Sequence, residues 1–254
     1  MFESELIAAK KAAHEAGTAI LKIADEYYKT AVLQADRTVV TKADIEADRI
    51  LQRYLREGFP EYGWLSEETR DDASRCDKEY VWIVDPMDGT REFVMKVPEY
   101  VVSVALAEKG RVILGVIYHP VTGDLYESVK GQGTKYNGTF VNCDYKISSK
   151  PRVEVSRSDI EKNIFTNYES YTELFPVGSI AYKLARLSAG LSDATLSLTP
   201  KNEWDIAAGV ILVTEAGGQV TDLSGYTHQF NQANTLVDGI IAATPDAYDI
   251  IRKI

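Results

Sequence analysis

Apolar residues at the start of the chain recur at three- and four-residue steps. Leu6, Ala9, Ala13, Ala16, Ile20, Ile23 and Tyr27 fall on one stripe, which predicts an amphipathic helix over 4–28. Thr41-Lys42-Ala43-Asp44 fits a capping box, so a second helix is expected to start near Thr41 and to carry Ile45, Leu51, Tyr54 and Leu55 until Gly58-Phe59-Pro60 ends it. The rhythm then shortens. Tyr80-Val81-Trp82-Ile83-Val84-Asp85 reads as a buried strand. Val101 to Ala107 and Val112 to Tyr118 flank Glu108-Lys109-Gly110-Arg111 and read as a hairpin, with a further strand over 125–129. Later segments alternate. Glu154-Val155-Ser156 reads as a strand end, 180–189 as a helix and 194–198 as a strand. A helix over 205–216 stops at Gly217-Gly218, followed by a strand at 239–243 and a helix at 246–253. That alternation indicates an α/β lobe. The pattern divides near residue 150, into an N-terminal α+β lobe (1–150) and a C-terminal α/β lobe (151–254).

The 254-residue chain is long enough for one large fold or two intimate lobes. Hydrophobic residues make up 45% and charged residues 26%, which excludes a disordered or collagen-like chain. No window approaches about 18 consecutive apolar residues, so no membrane-spanning helix is expected. The acidic start lacks the long apolar core of a secretory signal. Lys+Arg 28 against Asp+Glu 38 leaves a net charge of −10, a poor match to a nucleic-acid backbone but compatible with divalent cations. Cys76 and Cys143 form no C-x-x-C pair. A reduced, cytoplasmic chain is expected, with no stable nucleic-acid or membrane partner.

Candidate chemistry concentrates in carboxylates. In Trp82-Ile83-Val84-Asp85-Pro86-Met87-Asp88-Gly89-Thr90, Asp85 ends the expected strand and Asp88 follows three residues on. Pro86 fixes the backbone between them, Gly89 permits a tight turn, and a helix is expected to begin at Thr90. Two carboxylates, the Met87 carbonyl and free N–H groups then lie close together, which suits hard cations and anions alike. An Asp-Pro-x-Asp-Gly string is also an ordinary turn, and spacing leaves both readings open. Glu67-Glu68, Asp44 and Asp205 are further acidic points with plain alternatives: a solvated turn, the acid of a capping box and an N-cap.

Together these strings resemble the inositol monophosphatase superfamily of magnesium-dependent phosphatases. The resemblance rests on Glu67-Glu68, then Asp85-Pro86-Met87-Asp88-Gly89-Thr90-Arg91-Glu92-Phe93, then Trp204-Asp205-Ile206-Ala207-Ala208-Gly209, and it covers nearly the whole chain. It implies a layered α/β/α/β/α fold and hydrolysis of a small phosphorylated metabolite by metal-activated water. It implies two or three Mg²⁺ ions on Glu67, Asp85, Asp88, Asp205 and the Met87 carbonyl. It makes Thr90 and Asp44 a hydrogen-bonded pair that positions the water, with Glu67 as partner, and gives Gly89 and Thr90 N–H groups to the phosphate. Lithium inhibition and a homodimer are also implied. His14, His119 and His228 fall outside the motifs and read as structural or surface residues.

Within the superfamily, three details look like the 3′(2′),5′-bisphosphate nucleotidases. They are Glu92 in D-G-T-x-E-F, Ser156-Arg157-Ser158, and Gly178-Ser179 with Lys183, together with Glu203 before Trp204. This branch implies adenosine 3′,5′-bisphosphate as substrate, with Arg157, Ser179, Lys183 and Glu203 joining Asp88, Gly89, Thr90 and Asp205 in holding it. Asp159 stands where that branch has His, Met87 where Leu or Ile is usual, and 162–176 matches no known element. Leu198 stands seven residues before Asp205, where inositol monophosphatases typically carry a Glu that binds the ring. Inositol-1-monophosphatase and fructose-1,6-bisphosphatase are the alternatives, and a non-catalytic regulatory or RNA-associated factor is the reading from another class.

Overall fold

The computed structural model describes residues 2–30, 37–147 and 149–254. Two helices pack as a pair on the outside, α1 (Glu3–Thr30) and α2 (Arg37–Leu51), the second running on as a wider π-helical turn over Gln52–Arg56. The second helix therefore starts before Thr41, which lies inside it. Ala43, Ala47 and Leu51 are fully buried in one core with Ala9, Ala13 and Ala16 of α1. That packing sustains the helix through a string that locally reads as a cap.

A seven-stranded sheet follows: β1 (Gly63–Ser66), β2 (Tyr80–Asp88), β3 (Val101–Glu108), β4 (Arg111–His119), β5 (Asp124–Val129), β6 (Thr134–Tyr136) and β7 (Thr139–Val141). Its spatial order is the chain order, with β1 parallel to β2 and the remaining neighbours antiparallel. Side chains alternate across it. Trp82, Val84, Val102, Val104 and Val116 join α1 and α2, whereas Val81, Ile83, Ala105 and Ile117 face the opposite way. Both faces are covered, which is why β2 and β3 read as continuous apolar runs.

The second half supplies the remaining layers. Its strands are β8 (Arg152–Val155), β9 (Glu173–Pro176), β10 (Ala194–Ser197), β11 (Lys201–Asn202), β12 (Gln219–Thr221), β13 (Leu236–Val237) and β14 (Ile240–Ala243). Five form a sheet in the order β12-β14-β10-β8-β9, and β11 pairs with β13 in a small ribbon. Its helices, after the short α3 (Thr90–Val94), are α4 (Arg157–Glu161), α5 (Ile180–Ser188), α6 (Glu203–Glu215) and α7 (Pro245–Ile251). α5 and α6 lie between the sheets, sharing a core with Val81 and Ile83 on one side and Ile240 and Ala242 on the other. α7 covers the far face through Ala247 and Ile251. The architecture is the expected α/β/α/β/α stack. Residue 150 separates the two sheets, but the core around α6 crosses that boundary.

The small-residue start of α6 allows this close stacking. A Cβ on Gly209 would lie 2.4 Å from Leu184 Cδ1, so only hydrogen fits between α6 and α5. Among the described residues, no helix is long and apolar enough to cross a membrane.

Candidate active site

The carboxyl ends of β1 and β2, at one edge of the seven-stranded sheet, converge with the start of α3. β1 ends at Ser66 and delivers Glu67. β2 pairs with β3 regularly up to Asp85↔Ser103, then resumes at Asp88↔Val101, so three steps on β2 oppose two on β3. Pro86 offers no N–H to the ladder, and the chain bulges there. Asp85 Oδ1 accepts from the Met87 N–H at 2.9 Å, which closes the turn locally. Gly89 has φ of 103°, and a Cβ there would stand 2.6 Å from the Glu99 carbonyl oxygen. α3 then begins at Thr90, as its sequence suggests.

The second half contributes from two helix starts. Ser179 Oγ and the Ala181 N–H donate to Asp88 Oδ2 at 2.7 and 2.6 Å, tying the Asp88 carboxylate to the first turn of α5. Asp205 is not the N-cap of α6. Asn202 holds that position, and Asp205, three residues on, accepts from the Asn202 N–H through Oδ2 at 2.9 Å. Each of these aspartates thus spends one oxygen on donors at a helix start. Asp88 Oδ1 and Asp205 Oδ1 accept no hydrogen bond from the described residues.

Glu67, Asp85, Met87, Asp88 and Asp205 line one cavity of about 270 Å³. Burial, with Glu67, Asp88 and Asp205 around it, holds the Asp85 carboxyl well above the usual range. Burial and the charge of Asp88 push Asp205 to about 7. Much of Glu67 is open to solvent, but its carboxyl end turns in to Asp85; burial of that end, Asp88 and Glu68 bring it to about 7. Asp44, buried behind, is pushed to about 8 by burial and by Glu68 and Glu67. Such a set of carboxylates repels itself and favours the binding of positive charge. Among the described residues, no three His, Cys, Asp or Glu side chains are drawn into a closed ligand cluster. The donors are nevertheless all oxygen, anchored on one side and open on the other, which fits a hard divalent cation such as Mg²⁺.

Several expected residues stand elsewhere. The Thr90 hydroxyl donates to the Met87 carbonyl at 3.2 Å and not to Asp44, because the first residue of α3 turns its side chain back over the preceding turn. Thr90 lines the cavity; Asp44 does not. Arg157 does not line this cavity. Its guanidinium forms a two-pronged pair with Glu99, Nη2 donating to Oε1 at 2.7 Å and Nη1 to Oε2. A bidentate carboxylate satisfies such a group. Glu203 is fully buried and accepts from the Asn231 and Gln232 N–H groups at 2.6 and 2.8 Å, so it anchors the 231–232 loop and does not line the cavity. Ser179 lines the cavity, but its hydroxyl is committed to Asp88. Lys183 also lines it, is 3% exposed, and donates to the Val177 carbonyl at 3.1 Å. Burial lowers its ammonium to about 8. Leu198 packs into the apolar cluster under α7, away from the cavity.

Ser156, Ser158, Asp159, Ser197 and Lys201 line the cavity as well. Ser156, Ser158 and Asp159 belong to the Ser156-Arg157-Ser158 element and the residue after it, and the signal for Lys201 was a cation four residues before Asp205. The histidines stay outside. His119 is buried with Nε2 at 2.9 Å from the Pro98 carbonyl, His14 packs on Tyr118, and His228 lies near Phe230.

The chain matches the Inositol monophosphatase family over residues 3–252. It is 30% identical to the Nus factor SuhB of Salmonella typhimurium strain 14028s, over 92% of this chain and 90% of the relative. It is 31% identical to the inositol-1-monophosphatase of Caulobacter vibrioides, over 78% and 81%. Among solved structures, CysQ from Bacteroides thetaiotaomicron, a bacterial member of the same family, superposes with a TM-score of 0.82 at 29% identity, covering 96% of this chain and 98% of that one. A five-layer stack with four carboxylates around the bulge at the end of β2, and a match spanning almost every residue, place this chain in the inositol monophosphatase family of phosphatases.

Proposed function

We propose that the chain hydrolyses 3′(2′),5′-bisphosphate nucleotides, adenosine 3′,5′-bisphosphate foremost, at the carboxylate cavity. The observation that carries the reading is Lys183. A buried ammonium group stands in the same cavity as the four carboxylates, with a single carbonyl as its hydrogen-bond partner among the described residues. A substrate with a second phosphate supplies acceptors for its remaining N–H donors. The likeness to CysQ at 29% identity supports the same branch.

Glu67, Asp85, Asp88, Asp205 and the Met87 carbonyl would hold two or three Mg²⁺ ions. Bound there, the metal polarises the phosphoryl group and lowers the pKa of its water. Gly89 and Thr90, both on the cavity wall, present their backbone N–H groups to the reacting phosphate. Thr90 and Glu67, both on the cavity wall, position the attacking water. Asp44 acts from behind them through the charge of Glu67. The family resemblance adds lithium sensitivity and a cytoplasmic homodimer to this reading.

The test is kcat/KM for adenosine 3′,5′-bisphosphate, inositol 1-phosphate and fructose 1,6-bisphosphate at one Mg²⁺ concentration. The nucleotide should win. A lead for either competitor removes the nucleotidase reading and leaves the phosphatase standing. The likeness to Nus factors brings a second reading, a regulatory or RNA-associated role. The net charge of −10 weighs against direct contact with a nucleic-acid backbone, and an absence of binding at low salt would remove it.

A further inference from the structure

The cavity holds two ammonium groups, and the nucleotidase resemblance accounts for only one. Lys201 opens the β11 strand, four residues before Asp205, and lines the same cavity as Lys183. Its ammonium group forms no hydrogen bond or ion pair with any described residue. Its element is held in register, Lys201 opposite Val237 and Asn202 opposite Leu236, and Asn202 caps α6 directly afterwards. The backbone beneath Lys201 is thus fixed at both ends. Lys183, in turn, sits on α5 beside the turn that holds Asp88.

Two like charges in one cavity oppose each other, and the presence of Lys201 is among the causes that lower Lys183, after burial. The carboxylates balance them only while they carry no metal. Once divalent cations are held by Glu67, Asp85, Asp88 and Asp205, that negative charge is consumed, and the two ammonium groups are left to be matched by the ligand. The segment between β10 and α6 decides what kind of ligand this is. It turns Leu198 into the apolar cluster and Lys201 into the cavity. A ring bearing only hydroxyl groups gains little from two such cations, whereas a second phosphate, with its charge and three acceptor oxygens, suits both.

We infer that Lys201 and Lys183 together form a subsite for the non-reacting phosphate, and that Lys201 is a specificity residue separating bisphosphate from monophosphate substrates. The inference rests on the proposed reaction but not on the nucleoside, since any bisphosphate of suitable span would use it.

The experiment compares wild type, K201A, K201R and K183A with a matched pair, adenosine 3′,5′-bisphosphate and adenosine 3′-monophosphate. The pair differs only in the 5′-phosphate. The ratio of their kcat/KM values should fall roughly tenfold or more in K201A, the size of a lost charge-assisted contact, and recover in K201R. Calorimetric binding of adenosine 5′-monophosphate, which keeps the second phosphate and needs no turnover, should weaken by a similar factor. An unchanged ratio and unchanged binding in K201A, with K183A reducing both, overturns the role of Lys201 and leaves the nucleotidase reading intact. If fructose 1,6-bisphosphate beats the nucleotide, and its advantage over fructose 1-phosphate collapses in K201A, the nucleotide reading fails while the subsite stands.

Discussion

Replacing Asp205 by Asn should stabilise the metal-free protein while destroying its activity. Asn keeps the acceptor that meets the Asn202 N–H at 2.9 Å, so the start of α6 survives. What disappears is a carboxylate held among other acids. Burial and Asp88 raise its pKa from 3.8 to about 7, and at about 1.36 kcal/mol per pH unit this amounts to about 4 kcal/mol at most. Water in the cavity screens part of that, leaving about 1–2 kcal/mol. The sign follows from the raised value. The penalty is absent below pH 3.8, grows as pH rises through about 7, and is constant above it. Thermal melts with a chelator present should therefore show D205N about 2–8 °C above wild type at pH 8, with the gap closing towards pH 4. Added Mg²⁺ should reverse the order, because wild type gains binding energy that the variant lacks. A variant that melts below wild type at pH 8 without metal, or a gap independent of pH, would refute the claim that these carboxylates strain one another.

The remaining expectations follow the same geometry. D85N should lose turnover at any Mg²⁺ concentration, and a chelator should silence wild type reversibly; near wild-type rates in D85N would remove the metal assignment. T90A should lower kcat by about 10²–10⁴-fold with little change in KM if, as proposed, backbone N–H groups carry much of the phosphate contact; an unchanged kcat takes Thr90 out of the reaction. G209A places a Cβ 2.4 Å from Leu184 Cδ1 and should cost about 1–3 kcal/mol, read as a fall in melting temperature; a rise would mean that helix propensity outweighs the clash.

Much of this site was legible in the sequence, for identifiable reasons. Asp85, Asp88 and the glycine between them and α3 act within one turn, so their relation is local and the spacing carries it. Long apolar runs such as 80–85 and 101–107 read as strands because both their faces are covered. What the sequence could not show is long-range. Arg157 meets Glu99, 58 residues away in sequence, and no local pattern announces that a candidate phosphate ligand is already occupied. Glu203 beside Trp204 looks like part of the motif, yet the helix turn carries its side chain to the 231–232 loop. Lys201 gained its place from a two-residue strand whose partner, Val237, lies far along the chain. The early start of α2 likewise depends on packing against α1, which no capping rule contains.

The core shared around α6 also bears on how the chain comes to fold during synthesis. The seven-stranded sheet is complete once Val141 has left the ribosome, with α1 and α2 ready to cover one face. Its other face, bearing Val81, Ile83, Ala105 and Ile117, awaits a helix that ends at Glu215, roughly 70 residues later. At ~5–20 residues per second, that apolar face stays bare for about 4–15 s. Hydrophobic collapse takes microseconds, so the nascent sheet has ample time to find the wrong partner. A chaperone that shelters this one face until α6 arrives would raise the yield of folded protein, and slowing translation between 141 and 215 would lower it.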